Sequence, residues 1–173
     1  MQHRQQWFRA VPVFKRMAVL CAALTLLSQA ALAQFQNIYP DPSLAKSQIQ
    51  AALSRARAAH KRVIIDFGGN WCGDCKVLNL YLHDQTNLPL LNANYELVEV
   101  NIGHFDANQD IAARYGIPLQ RGVPALVILS PEGKVLLAQT HGEFERMRNL
   151  QSSDLTKFLN DWKPTRGSAR GGR

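Results

Sequence analysis

Cysteine is scarce in this chain: Cys21, Cys72 and Cys75 are the only three in 173 residues. So few sulfurs exclude a disulfide-rich scaffold. Clustered metal ligands are missing too. A structural zinc site wants four donors, whereas His60, His83, His104 and His141 are scattered without ligand spacing. Lys76, not a histidine, follows Cys75, which excludes haem attachment. Acids are absent from both ends: Arg4, Arg9, Lys15 and Arg16 open the chain and Lys163, Arg166, Arg170 and Arg173 close it. Between Gln34 and Trp162 stand 12 basic and 13 acidic residues. The formal charge of +7 therefore belongs to the ends, and a nucleic-acid footprint is excluded. There is one long apolar run and no second.

That run reads as a secretory signal. A basic start ends at Lys15-Arg16, "MAVLCAALTLL" follows, and "SQAALA" offers Ala31 and Ala33 in an A-x-A arrangement. Cleavage is expected before Gln34. The alternative is an uncleaved anchor, but the run is short for a span and broken by Thr25, Ser28 and Gln29. Leu20 before Cys21 does not suit a lipoprotein. After cleavage no membrane span remains, and only Cys72 and Cys75 are left. Export places the pair in an oxidising compartment, for a bacterial-type signal the periplasm.

What is there is a normal globular mixture, 46% hydrophobic and 19% charged. Ile49, Ala52, Leu53 and Ala56 fall on one helix face, with Ser43 as its expected cap. "RVIIDF" predicts a buried strand at 63–67, broken by Gly68-Gly69. A helix is expected from Cys72 to His83, a strand at 95–102, and a helix over "DANQDIAARYG" with Asp106 or Asn108 as cap and Gly116 as stop. "PALVILS", 124–130, and "KVLLAQT", 134–140, joined by Pro131-Glu132-Gly133, predict an antiparallel hairpin. Leu155, Phe158, Leu159 and Trp162 mark a last helix. The order α-β-α-β-α-β-β-α predicts an α/β fold, a four-stranded mixed sheet with helices on both faces. The expected organisation is a signal at 1–33, a helical segment at 34–61, a domain at 62–162 and a disordered Gly/Arg tail at 163–173.

The stretch "DFGGNWCGDCKVL" raises the question of what Cys72 and Cys75 do. As a staple they would close one of the shortest loops possible, which restricts the unfolded chain little. As metal ligands they lack companions. As a redox pair they are well placed, after a strand and a glycine break, at the start of a helix. Free N–H groups and the positive helix end favour a thiolate on Cys72. Cys75, one turn in, can attack a mixed disulfide and release the partner. Trp71 either covers one side of the site or simply packs.

At these residues the chain resembles the thioredoxin family. "VIIDFGGNWCGDCK" is similar to that family's strand, Asp-Phe pair and Trp-Cys-Gly-x-Cys-Lys centre, and the likeness runs from about Arg62 to Trp162. In style it looks like thioredoxin and the C-terminal domain of the membrane reductase DsbD, without the helical insertion that marks DsbA. The resemblance implies that Asp66 is the buried acid behind Cys75 and takes its proton. It implies a cis bond between Val123 and Pro124, beside Cys72, with the Val123 backbone offered to an extended partner segment. Asp66 could instead be a strand-end acid, and Pro124 an ordinary trans proline.

The chain departs from the family at several places. Asp74 stands where proline is usual beside Gly73, and its charge is expected to disfavour a Cys72 thiolate and make the pair reducing. Gly68 and Gly69 are expected to leave room near the site. Glu99 stands where thioredoxin has a lysine; it either couples to Asp66 or faces solvent. "IPLQRG", 117–122, is longer than its equivalent and is expected to reshape the partner groove.

The expected function is an exported thiol–disulfide oxidoreductase, a protein-disulfide reductase in cell redox homeostasis, with no cofactor beyond the cysteine pair. Its expected partners are protein disulfides or dithiols and an electron-donor reductase, such as a membrane-embedded one. The alternatives are an oxidase or isomerase on the same fold, or a non-enzymatic protein holding copper on the two thiolates.

Overall fold

The run "RVIIDFG" is apolar on both sides, and a strand of that kind must be covered on both sides. In a computed structural model, which describes residues 37–165, it forms the central strand β1, Arg62–Gly68. The expected signal, 1–33, and residues 166–173 of the expected tail lie outside the described residues. On one side β1 pairs in parallel with β2, Tyr95–Asn101. On the other it pairs antiparallel with β3, Ala125–Leu129, which pairs antiparallel with β4, Val135–Ala138. The strand order is β2-β1-β3-β4. This is the mixed α/β sheet that the element order predicts.

Alternation along β1 divides the core. Val63, Ile65 and Phe67 pack with Ile49, Ala52, Leu53 and Ala56 of the first helix, α1, Ala45–Ala59. Ile64 packs on the opposite side with Leu78 and Leu82 of α2, Gly73–Leu82, and with Leu155 and Leu159 of the last helix. Each fully buried side chain of this size contributes about 1.5–3 kcal/mol. Truncating Ile64 to alanine therefore costs about 2–5 kcal/mol.

Three local expectations need correction. Ser43 does not cap α1. Its N-cap is Leu44, with no side-chain cap bond, and Asp41 instead caps a 3-10 turn at Pro42–Leu44 that leads into the helix, accepting from Ser43 N at 2.9 Å and Ser43 Oγ at 2.6 Å. A helix α3, Asn87–Asn94, stands between α2 and β2 where none is expected. Pro89 in its first turn and its weak apolar period hide it, but the first turn tolerates proline. The buried Asn87 fastens it, donating to Tyr81 O at 2.9 Å and Ser152 Oγ at 3.0 Å.

The third correction concerns α4, Gln109–Arg114, which is shorter than expected. Asn108 stands at its N-cap position as expected, but its side chain makes no cap bond. Asn108 precedes it with φ 54° and donates to Pro42 O and Asn101 O instead. Asp106 accepts from His104 N at 2.8 Å. The hairpin turn closes through Ser130 and Lys134 with Gly133 at φ 88°. The last helix, α5, spans Ser152–Asp161.

Candidate active site

β1 ends at Gly68, and after Gly69 and Asn70-Trp71 the chain enters α2 with Cys72 as its N-cap. Cys75 N points back at Cys72 Sγ, 3.1 Å away. The two cysteines are joined in a disulfide, with Cα atoms 5.3 Å apart. Cys72 is 5% exposed and Cys75 is fully buried. A partner thus reaches Cys72 first, and Cys75 is the inner sulfur. Reduced, Cys72 has a helix N-terminus beside it, which stabilises negative charge on sulfur.

The loop before β3 closes one side. The Val123–Pro124 bond is cis, and Val123 O lies 3.6 Å from Cys72 Sγ. On the other side stands Trp71, 44% exposed. Its Nε1 donates to Gly103 O at 2.6 Å, and its ring stacks on His104 and leans on Phe105. Trp71 is therefore a fixed wall, not a packed core residue. Beyond Phe105 an open groove of about 580 Å³ runs past Ile117 and Leu119 to Gly122, so "IPLQRG" does line a surface next to the site.

Asp66 is 1% exposed. Its Oδ2 accepts from the hydroxyl of Tyr39 at 2.6 Å, while Oδ1 is buried with no hydrogen-bond partner among the described residues. Burial pushes its pKa up, the Tyr39 hydrogen bond opposes, Glu99 adds to the rise, and the result is about 8. Glu99 is the register partner of Asp66 across β1 and β2 and is half-buried. Burial raises its pKa as well.

Asp74 lies in the first turn of α2 and carries a partner that sequence reading does not reveal. Arg148 grips it with its backbone N at 2.9 Å, Nε at 3.1 Å and Nη2 at 3.0 Å. Burial alone would raise the Asp74 pKa, but these bonds and the guanidinium charge bring it below the ordinary carboxylate value. The Arg148 guanidinium also passes 3.7 Å from where a Cβ on Gly73 would sit. The Asp74 charge expected to repel a Cys72 thiolate is thus largely compensated. No signal marks Arg148 in the sequence; it follows Asp74 by 74 residues.

The expected room at Gly68 and Gly69 is also taken. A Cβ on Gly68 would meet Tyr39 Cζ at 2.6 Å and Cys75 Sγ at 2.8 Å. One on Gly69 would meet Trp71 Nε1 at 2.6 Å. These glycines admit neighbours that fill the space. Among the described residues no three His, Cys, Asp or Glu side chains group as a metal site, and no helix is long and apolar enough to cross a membrane.

A family model described as thioredoxin-like matches residues 45–131. The chain is 25% identical over 121 residues to the thiol:disulfide interchange protein DsbD of Pseudomonas fluorescens, covering 69% of this chain and 19% of that protein. It thus spans about a fifth of the length of that relative. It is 37% identical over 68 residues to thioredoxin of Equus caballus, 39% of this chain and 57% of that one. Among solved structures it is similar to the disulphide isomerase of Xylella fastidiosa Temecula1, at 32% identity and TM-score 0.69, covering 72% of this chain and 95% of that one. Tyr39 and Arg148 both lie outside residues 45–131.

Proposed function

The chain belongs to the thioredoxin-like family of thiol–disulfide oxidoreductases, and from that premise we propose that it is an exported reductase of protein disulfides. The observation that carries this reading is the Cys72–Cys75 disulfide itself, its outer sulfur at the N-terminus of α2 beside a cis-proline loop and its inner sulfur buried.

In the reductive direction the Cys72 thiolate attacks one sulfur of a partner disulfide. A Cys72–partner bond forms and the other partner sulfur leaves as a thiolate. Cys75 gives its proton to Asp66 and attacks Cys72 Sγ, which forms the Cys72–Cys75 bond and expels the second partner sulfur. Two electrons pass from the dithiol to the partner. Trp71 and the Val123 backbone flank the attacking sulfur, and an extended partner segment would add to Val123 as a short strand. The cycle requires a donor to reduce Cys72–Cys75 again, and a membrane-embedded reductase suits an oxidising compartment. Export is supported by the basic, apolar and A-x-A succession at residues 1–33.

The direction is supported by how little favours the thiolate beyond the helix N-terminus. A strongly oxidising pair is one whose reduced form is stabilised. Here one N–H, from Cys75, meets Cys72 Sγ, and Asp74 stands two residues on with its charge offset but not removed. An isomerase is the second reading, because the Xylella fastidiosa protein of 32% identity is described as one.

Equilibration of the chain with dithiothreitol and glutathione decides between them. A reduction potential close to thioredoxin's roughly −270 mV is expected of the reductase. A value near roughly −180 mV or higher, with turnover on a scrambled disulfide protein, would favour isomerase or oxidase work.

A further inference from the structure

The side chain that completes the interior of this site comes from a strap ahead of α1. Tyr39 is 1% exposed. Three asparagines lace the strap to the domain. Asn70 accepts from Tyr39 N at 3.0 Å and donates to Tyr39 O at 2.8 Å. Asn101 donates to Pro40 O at 2.8 Å and Asn108 to Pro42 O at 2.9 Å. Asn70 is the residue before Trp71-Cys72, so the strap is fastened to the redox loop at the residue that enters the core.

Filling that core requires only an apolar ring. A buried hydroxyl adds a cost unless it finds a partner. The Tyr39 hydroxyl finds Asp66 Oδ2 at 2.6 Å. Alternation along β1 puts Asp66 and Gly68 on one side of the strand. At Gly68 the missing Cβ leaves space that Tyr39 Cζ and Cys75 Sγ both approach. The phenol, the carboxyl and the inner sulfur therefore converge on one small volume.

We propose that Tyr39 is a positioning residue for proton transfer at Cys75: its phenol holds Oδ2 of Asp66 and leaves Oδ1 to take the thiol proton. The proposal rests on the exchange reading of the same site. In the resolving step Asp66 takes the proton from Cys75 Sγ. The resulting thiolate forms the bond to Cys72 Sγ, the Cys72–partner bond breaks, and its electron pair leaves with the partner sulfur. The phenol keeps its own proton throughout, because burial and then the charge of Asp66 push its ionisation well above the ordinary value.

The groups that act on Asp66 are Tyr39 from the strap and Glu99 from β2, Cys75 Sγ from α2 reaches the same Tyr39 ring at Gly68, and His83 at the end of α2 acts on Glu99. Of these, the Tyr39 hydrogen bond favours the carboxylate, against burial and Glu99. Without the phenol the carboxylate forms at higher pH.

The test mixes the reduced full chain, carrying Cys21→Ser in every variant so that Cys72 and Cys75 are its only thiols, with an aryl disulfide that releases a coloured thiolate. The first release reports attack by Cys72 and the second reports resolution by Cys75. Wild type is expected to release two thiolates per chain. Tyr39→Phe is expected to keep the first phase, slow the second about tenfold near neutral pH and move its inflection up by about one pH unit. Its unchanged first phase shows in the same trace that the site is folded. In an Asp66→Asn background Tyr39→Phe is expected to add nothing. In the unaltered chain the Tyr39 ring resonances are expected to move with the titration of Asp66.

A second-phase pH profile of Tyr39→Phe that superposes on wild type would overturn the proposal. So would an equal slowing in the Asp66→Asn background, or Tyr39 resonances that ignore the titration of Asp66. A wild-type chain that releases one thiolate and stops would overturn the exchange reading, a result distinct from a wild-type chain that resolves while Tyr39→Phe resolves equally well.

Discussion

Two aspartates of the redox region, Asp66 in β1 and Asp74 between the cysteines, are held in opposite states. Asp66 is shut in the core with a neutral phenol for a partner, and its pKa rises to about 8. Asp74 stands at the mouth of the site in the grip of a guanidinium, and its pKa falls. The chemistry of the two side chains is the same. Burial with only a neutral hydrogen bond favours the acid form; a cationic partner near water favours the carboxylate. The inner acid can therefore carry a proton near neutral pH, while the outer one is a fixed charge. That division suits the proposed exchange, in which Cys75 loses a proton and Cys72 is tuned.

The largest way to break this comparison is Asp66→Asn. Between the ordinary aspartate value of 3.8 and about 8, folded Asp66 holds a proton that the unfolded chain has released. The folded state binds more protons across that window, so stability falls as pH rises through it. The slope is about 1.4 kcal/mol per pH unit for one group. Denaturant titrations of wild type are expected to lose several kcal/mol between about pH 4 and pH 8 relative to Asp66→Asn. Parallel pH profiles for the two proteins would remove the inner half of the comparison.

A smaller effect sharpens the outer half. Arg148→Ala leaves the Asp74 charge uncompensated beside Cys72, and the reduction potential is expected to fall by roughly 10–30 mV. Asp74→Asn frees the guanidinium to favour the thiolate, and the potential is expected to rise by a similar amount. The double variant should return close to wild type, because the two charges act on the same sulfur in opposite senses. Equal shifts of one sign in both single variants would show that the pair acts by holding the loop rather than by charge.

The two halves also differ in how far the sequence discloses them. "VIIDF" followed by two glycines and a Cys-x-x-Cys is a local signal, and β1, the redox turn and α2 follow from it. The hairpin announces itself through Pro131-Glu132-Gly133, and α5 through its apolar period. Asp66 is legible as an acid inside a buried strand. Its phenol is not, because Tyr39 belongs to no periodic element and approaches only once the asparagine lacing is formed. Arg148 is hidden for the same reason, being one of two arginines at a three-residue 3-10 turn until tertiary folding sets it on Asp74. Gly68 and Gly69 read as empty space, since a missing side chain does not say which neighbour moves in. Pattern discloses elements; the partners that set the charge of a site come from far along the chain.

The most direct test is a carboxyl carbon-13 titration of the oxidised protein, with Asp66 and Asp74 assigned in one set of spectra. The account predicts that Asp66 titrates near pH 8 and that Asp74 titrates below the ordinary value of 3.8. Two carboxyls that titrate together near that ordinary value would contradict it, and with it the assignment of proton carrier and fixed charge.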